Sequence, residues 1–348
     1  MKLISGILLA FGGGILNGIF PLPMKAVKRW EWESVWLPFT ILALIIFPFF
    51  VACSFAPHLS AAMLHASSFD IAEALSCGIV VYSGSLMFGL AIPRIGAGLS
   101  FALLVGTMNA VGVLVPRILL HPTLPLSSGD WLVLFGVALS SASVALGFWA
   151  QKARIATKHD GRDSADVSGA ILAVAGGALS GLLPVSMSMA FAGRLAESAI
   201  RFGSADPSHA STIVLTLVLF GGAIPNCAYC VYLLCSKRTY RDFGDNCSAW
   251  NWIMVLCMGI FYSASNTLWG VAISPNYLGP LGPSIGWALF VGMIVASSVC
   301  VGLISGEWKG APISSHIMLG SSLLLLALSL IAISAGTYQL PDIGSHPG

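Results

Sequence analysis

Ten apolar runs of about 20 residues or more, at positions 3–23, 34–55, 71–92, 95–116, 131–150, 167–192, 212–234, 249–273, 283–305 and 313–338, leave this chain few ways to fold. Each is long enough to carry a helix across the hydrocarbon of a bilayer. None shows the alternation of a barrel strand, so the backbone must satisfy its own hydrogen bonds as helix. Composition agrees. With 57 % hydrophobic and 9 % charged residues and a mean hydropathy of +0.89, 348 residues have too little polar surface to clothe a soluble globule. The expectation is an all-α polytopic membrane protein with ten transmembrane helices.

Charge placement sets an orientation. Only Lys2 precedes the first run, whereas Lys25, Lys28 and Arg29 follow it, the reverse of a signal peptide, so the run is expected to stay attached. The odd-numbered connections hold Lys25, Lys28, Arg29, Arg94, Lys152, Arg154, Lys158, Arg162, Lys237, Arg238, Arg241 and Lys309, twelve of the 16 Lys and Arg. The positive-inside rule puts these connections in the cytoplasm and both termini outside a multi-pass inner (plasma) membrane protein.

The chain also matches itself. At an offset of 163, Gly6, Leu9, Ala10, Gly13, Gly14, Leu16, Gly18, Pro21 and Met24 fall on Gly169, Leu172, Ala173, Gly176, Gly177, Leu179, Gly181, Pro184 and Met187, nine identities in nineteen positions. Further on, FALLVG at 101–106 resembles WALFVG at 287–292. The implied plan is a five-helix repeat over 1–155, a cytoplasmic linker at 156–166 and a second five-helix repeat over 167–348. Five is odd, so the halves enter the membrane in opposite directions, a five-plus-five inverted repeat. Small residues four apart, at Ala10, Gly14 and Gly18 and at Ala173, Gly177 and Gly181, suit close helix contact.

Polar interruptions of the apolar runs mark candidate sites. Asn17, Asn109, Asn226 and Asn266 each need a partner in hydrocarbon, either another helix or a ligand. With Tyr82, Trp269 and Trp287 they make an inventory of amides, a hydroxyl and aromatic faces that suits a neutral sugar, and these seven residues are the substrate-binding candidates. For each, plain inter-helix bonding or aromatic-belt packing is the competing reading.

The turn after the first run, P-M-K-A-V-K-R-W-E-W-E-S-V-W at 23–36, sets three cations beside three tryptophans. Its P-x-K-x-V-K-x-W-x-W-E-x-x-W spacing resembles the first cytoplasmic loop of bacterial L-rhamnose–proton symporters, of the drug/metabolite transporter superfamily. Arg94-Ile95-Gly96 before the fourth run is similar to that family's fourth span, and Gly306-Glu307-Trp308-Lys309 to its short E-W turn. The resemblance runs nearly the full length. It implies a secondary transporter importing L-rhamnose or a related sugar with protons by alternating access. The third run offers serines where amides are expected in that family, which leaves open a carrier of another metabolite, including an exporter. A membrane enzyme acting on lipid-linked sugars, or a non-transporting sensor, is the reading from another class.

No P-loop, metal cluster or nucleophile motif stands out, so the chain reads as no enzyme, with no cofactor, no metal and no nucleic-acid partner; its partners are a sugar, a proton and the lipid bilayer, in an unspecified oligomeric state. Seven of the eight cysteines lie in or at the ends of apolar runs and read as small fillers, Cys227-x-x-Cys230 included. Proton coupling calls for a titratable group exposed in turn to both sides, and the candidates are Glu73 and His316, both toward membrane edges. Lys25, Lys28, Trp30, Trp32, Glu33, Glu307 and Trp308 are candidates for a cytoplasmic gate or anchor, with Glu33 and Glu307 free to pair with Lys25, Lys28 or Lys309.

Overall fold

The computed structural model describes residues 2–95, 97–120, 128–156, 167–244, 248–279, 286–304 and 308–338. The helices run in the order α1 (Lys2–Ile19), α2 (Trp32–Thr40), α3 (Phe47–Phe55), α4 (Leu59–His65), α5 (Ser68–Ile95), α6 (Ala97–Leu120) and α7 (Ser128–Ala156). The second half holds α8 (Val167–Ser180), α9 (Leu183–Ser188), α10 (Ala190–Gly203), α11 (Ala210–Lys237), α12 (Ser248–Ala272), α13 (Trp287–Ile304) and α14 (Ile313–Tyr338). Among the described residues nine helices are long and apolar enough to cross a membrane. The fourth expected span coincides with α6, whose described apolar stretch is the shorter Leu103–Val115. Glu307 and residues 157–166 of the linker lie outside the described residues.

Proline shapes two of the spans. The second runs unbroken from Trp32 to Phe55, with α2 and α3 joined by the π-helical stretch Ile41–Ile46. Pro48 has no N–H to give to the carbonyl of Leu44, and the turn before it widens. The sixth span departs from expectation. Instead of running from 167 to 192, α8 stops at Ser180, because Pro184 cannot donate to that carbonyl, and α9 ends where Met189 turns extended (φ −76°, ψ 157°). Beyond Met189 the chain forms a separate amphipathic helix, α10, burying Phe191, Leu195 and Ala199 while exposing Arg194, Glu197 and Arg201.

Helix pairing is reciprocal. α1 packs on α12 and α13, α8 packs on α5 and α6, and α7 lies along α14. The glycines of the self-match allow these approaches. Gly14 abuts the carbonyl of Phe290 and the side chain of Met293, and Gly177 abuts the carbonyl of Leu104 and the side chain of Thr107. A Cβ at Gly18 would stand 2.6 Å from the carbonyl oxygen of Ile294, and one at Gly181 would stand 2.6 Å from that of Met108. Backbone thus meets backbone at both seams. The main apolar core lies between, around Tyr82, Met108, Phe191, Trp269, Trp287 and Phe290.

Candidate functional site

Four of the predicted polar residues meet in one cluster built by α1, α2, α5, α11 and α12. Asn226, midway along α11, is tied down inside the protein: its Oδ1 accepts from Trp36 Nε1 (3.3 Å) and lies 3.2 Å from Ser85 Oγ, whose one proton has the carbonyl of Tyr82 at 2.6 Å as its nearer acceptor, and its Nδ2 donates to the carbonyls of Tyr82 (3.2 Å) and Gly222 (3.0 Å). One amide thereby ties three helices together. The ring of Tyr82 lies over Gly222, where no side chain could stand, and its hydroxyl accepts a 3.2 Å bond from Tyr262. That hydroxyl pair joins the two halves of the chain. Asn266, one turn beyond Tyr262, donates to its carbonyl at 2.9 Å, and Asn17 Nδ2 donates to Ser265 Oγ at 3.2 Å.

Aromatic rings close the other side. Phe20 stacks on Phe39 (centroids 5.4 Å apart), Tyr262 meets both edge-on at 5.1 and 5.6 Å, and Trp36 lies 5.0 Å from Phe39 and stacks on Trp32 at 5.2 Å. Asn17, Phe20, Trp36 and Tyr262 are half-buried, whereas Tyr82, Asn226 and Asn266 are buried. The arrangement offers hydroxyls and an amide beside apolar ring faces, the pairing that grips a neutral polyol ring. Phe20, Trp36, Phe39 and Tyr262 escaped the sequence reading as sites because an aromatic residue in an apolar helix does not stand out. Helical spacing held the signal: Phe20 is three residues from Asn17, and Tyr262 four from Asn266.

The other three candidates lie elsewhere. Trp269 and Trp287 pack edge to face at 5.4 Å, Trp287 stacks on Phe290 at 5.8 Å, and Trp287 Nε1 reaches the carbonyl of Met108 at 3.4 Å. Asn109 Nδ2 donates to Ser140 Oγ at 2.7 Å, joining α6 to α7, while its Oδ1 and the indole nitrogen of Trp269 make no hydrogen bond among the described residues. Among the described residues no group of three His, Cys, Asp or Glu side chains is placed to hold a metal ion.

The Trp-rich turn forms a latch beside the cluster. Glu33 is fully buried, and the cation that reaches it is Lys237 at the end of α11 (3.3 Å), with Thr239 Oγ1 at 3.0 Å, rather than Lys25 or Lys28. Lys25 and Lys28 lie nearer the surface; the backbone of Lys28 exchanges hydrogen bonds with Asn251, N–H to Oδ1 at 3.0 Å and Nδ2 to the carbonyl at 2.8 Å. Ser34 Oγ donates to Asp242 at 2.8 Å. Trp30 is buried edge-on against Phe243 and Trp252, and Trp32 stacks on Trp36 beside Tyr229. Trp308, also buried, meets the ring of His316 at 5.9 Å. His316 itself is exposed, its Nδ1 3.2 Å from the carbonyl of Pro312.

The opposite end, poor in Lys and Arg and here called outer, carries a second clasp. Arg194 of α10 grips Asp70 in the first turn of α5 through Nε (2.9 Å to Oδ2) and Nη2, a bidentate pair. Ser198 Oγ donates to the carbonyl of Ala62 at 2.8 Å and His58 N–H to that of Gly203 at 3.2 Å, so α10 is fastened to α4 as well. Glu73 is half-buried one turn along α5 from Asp70, near enough to Arg194 to raise its pKa alongside the larger effect of Asp70. Asp70 and Arg194 were not singled out from sequence, where the first ends a loop and the second comes just after an apparently continuous span.

Comparison with known proteins places this architecture. A solved crystal structure superposes with a TM-score of 0.59 over 97 % of this chain and all of its own, at 14 % identity, a likeness of fold. The chain is 25 % identical over 352 residues to an L-rhamnose-proton symporter of Mannheimia succiniciproducens, covering 95 % of this chain and 98 % of that protein. It is likewise 25 % identical to the symporter of that name from Citrobacter koseri, over 92 % of this chain and 95 % of the other. The profile of the family described as L-rhamnose-proton symport protein (RhaT) matches residues 1–337, and the chain belongs to that family.

Proposed function

We propose that this protein imports L-rhamnose, or a related small sugar, with protons by alternating access, binding it between the two halves. The observation that carries the reading is the Tyr82–Tyr262 hydroxyl pair, one residue from each half, set among Asn17, Asn266, Phe20, Phe39 and Trp36. Family membership and the names of the relatives supply the sugar and the proton. In this reading residues 1–155 and 167–348 are inverted repeats joined by the linker at 156–166. Support comes from the reciprocal packing: α1 on α12 and α13, α8 on α5 and α6, with Gly14 and Gly177 against the carbonyls of Phe290 and Leu104, which correspond in WALFVG and FALLVG. The distribution of Lys and Arg supports an inner-membrane location with both termini outside.

Glu33 with Lys237 is then an inner gate and Asp70 with Arg194 an outer one, each joining the halves at one end. The deciding experiment is uptake of labelled L-rhamnose into proteoliposomes under an inward proton gradient, with and without an uncoupler. Accumulation abolished by the uncoupler is the expected result. Equilibration without accumulation would make the protein a facilitator, and movement of some other solute in place of L-rhamnose would reassign the substrate.

A further inference from the structure

On the reading of this protein as a sugar carrier, we infer that the side-chain oxygens of Asn17 and Asn266 accept hydrogen bonds from two neighbouring hydroxyls of the sugar, and that the Tyr82 hydroxyl donates back to that pair. The two amides thus select a solute that carries a vicinal diol.

The assignment follows from which atoms are left over. Asn17 gives its Nδ2 to Ser265 Oγ at 3.2 Å, and Asn266 gives its Nδ2 to the carbonyl of Tyr262 at 2.9 Å. A carbonyl can only accept, so the amide of Asn266 must present its nitrogen there and its oxygen elsewhere. Neither Oδ1 has a hydrogen-bond partner among the described residues, and an amide oxygen left unpaired in hydrocarbon costs free energy until something meets it. Asn109 Oδ1 is unpaired too, but it is sealed from solvent between α6 and α7, where Ser140 holds its amide nitrogen. The oxygens of Asn17 and Asn266 are not shut off in this way, although Asn266 as a whole is only 3 % exposed. Asn226 is excluded because the indole of Trp36 already occupies its Oδ1.

Packing brings the two amides together. Ser265 and Asn266 are consecutive on α12, and Asn17 lies one turn along α1 from Gly13, which abuts the carbonyl of Ser265. Tyr82 comes from α5, in a different packed group of helices. Its oxygen accepts from Tyr262, while its own proton has no acceptor among the described residues. Two free acceptors and one free donor, in a cluster with no charged side chain, match adjacent hydroxyls of a neutral polyol. Each hydroxyl gives its single proton to an amide oxygen and keeps its lone pairs for Tyr82. A carboxylate or phosphate in the same place would set its charge against two amide oxygens.

The experiment measures how unlabelled L-rhamnose, and its monodeoxy derivatives at carbons 2, 3 and 4, inhibit counterflow of labelled L-rhamnose in proteoliposomes. One neutral hydrogen bond is worth about 2- to 10-fold in affinity. In the wild type, two derivatives that lack neighbouring hydroxyls are expected to compete less well than L-rhamnose by that factor each. In Asn266→Ala the inhibition constant for L-rhamnose rises about 2- to 10-fold, while that of one of those derivatives keeps its wild-type value, because the hydroxyl read by the amide is already missing. Asn17→Ala does the same for the other derivative. An equal loss for every sugar would reduce both amides to supports of the α1–α12 contact and overturn the proposal. Losses at one and the same hydroxyl, or at carbons 2 and 4, would overturn it as well. Should neither variant fold, the wild-type series still decides, since derivatives that all compete as well as L-rhamnose would exclude any reading of single hydroxyls. Absence of L-rhamnose counterflow in the wild type would instead strike at the sugar-carrier reading and take this proposal down with it.

Discussion

At the scale of single residues, the central cluster separates groups that hold it together from groups with hydrogen-bonding capacity to spare. Asn226 is spent inside the protein, since its Oδ1 takes the indole of Trp36 and both N–H groups donate to the carbonyls of Tyr82 and Gly222. Its replacement is a question of stability: N226L strands the indole of Trp36 and removes the amide that joins α2 to α5 and α11, and should cost about 1–3 kcal/mol, seen as a lower unfolding temperature in detergent. Tyr262 is the contrasting case. It is half-buried and spends its hydroxyl on one bond to Tyr82. Y262F keeps the ring stacking and removes the hydroxyl that the proposed site presents to the sugar, so KM for L-rhamnose should rise about 2- to 10-fold, the worth of one hydrogen bond of about 0.5–1.5 kcal/mol. An unchanged KM would move the sugar site away from this pair. The sequence marked the amides, because a polar group in an apolar run is conspicuous. It could not say which were already satisfied, since the partners of Asn226 lie 141 and 190 residues away.

At the scale of elements, the helices come from run length, and the departures come from proline and amphipathicity. Counting apolar residues carries the sixth span on to Ala192, because Phe191 and Ala192 are as apolar as the residues before them. The break at Met189 is signalled instead by the pattern of α10: Phe191, Leu195 and Ala199 recur on one face with Arg194, Glu197 and Arg201 on the other. A window set to find long spans averages such a pattern away. The glycine seams were legible as small-residue spacing, though spacing alone did not name the carbonyls they meet. Those carbonyls make a prediction. Alanine at Gly18 or Gly181 places a Cβ 2.6 Å from the backbone oxygen of Ile294 or Met108, and each seam must open to relieve the contact. Both variants should lose about 1–3 kcal/mol, with the Ser297 hydroxyl also in the way at Gly18 and the Val111 side chain at Gly181, and the proposed repeat predicts losses of similar size. A large loss at one position and none at the other would argue against equivalence of the halves.

At the scale of the whole molecule, two clasps lie at opposite ends, each a buried carboxylate under a half-exposed cation from the other half of the chain. Charge distribution along the chain indicated the sidedness, while the pairing of Glu33 with Lys237, 204 residues on, needed the packing of α2 against α11 to appear. A carrier that alternates must open one clasp at a time, so weakening either should bias which side is open. E33Q removes the charge that draws Lys237 in while keeping the acceptor for Thr239. Discounted for the exposure of Lys237, the loss is about 1 kcal/mol, roughly fivefold toward the inward-open state. Cys230 reports on this, being fully buried on α11 two turns before Lys237. A membrane-impermeant maleimide applied from the cytoplasmic face should label Cys230 faster in E33Q than in the wild type, with peptide mass spectrometry separating it from the exposed Cys235. D70N weakens the outer clasp and should slow that labelling, and the double variant should fall between the two. Equal rates in all four proteins would reduce both ion pairs to surface anchors and leave the gating to the aromatic cluster.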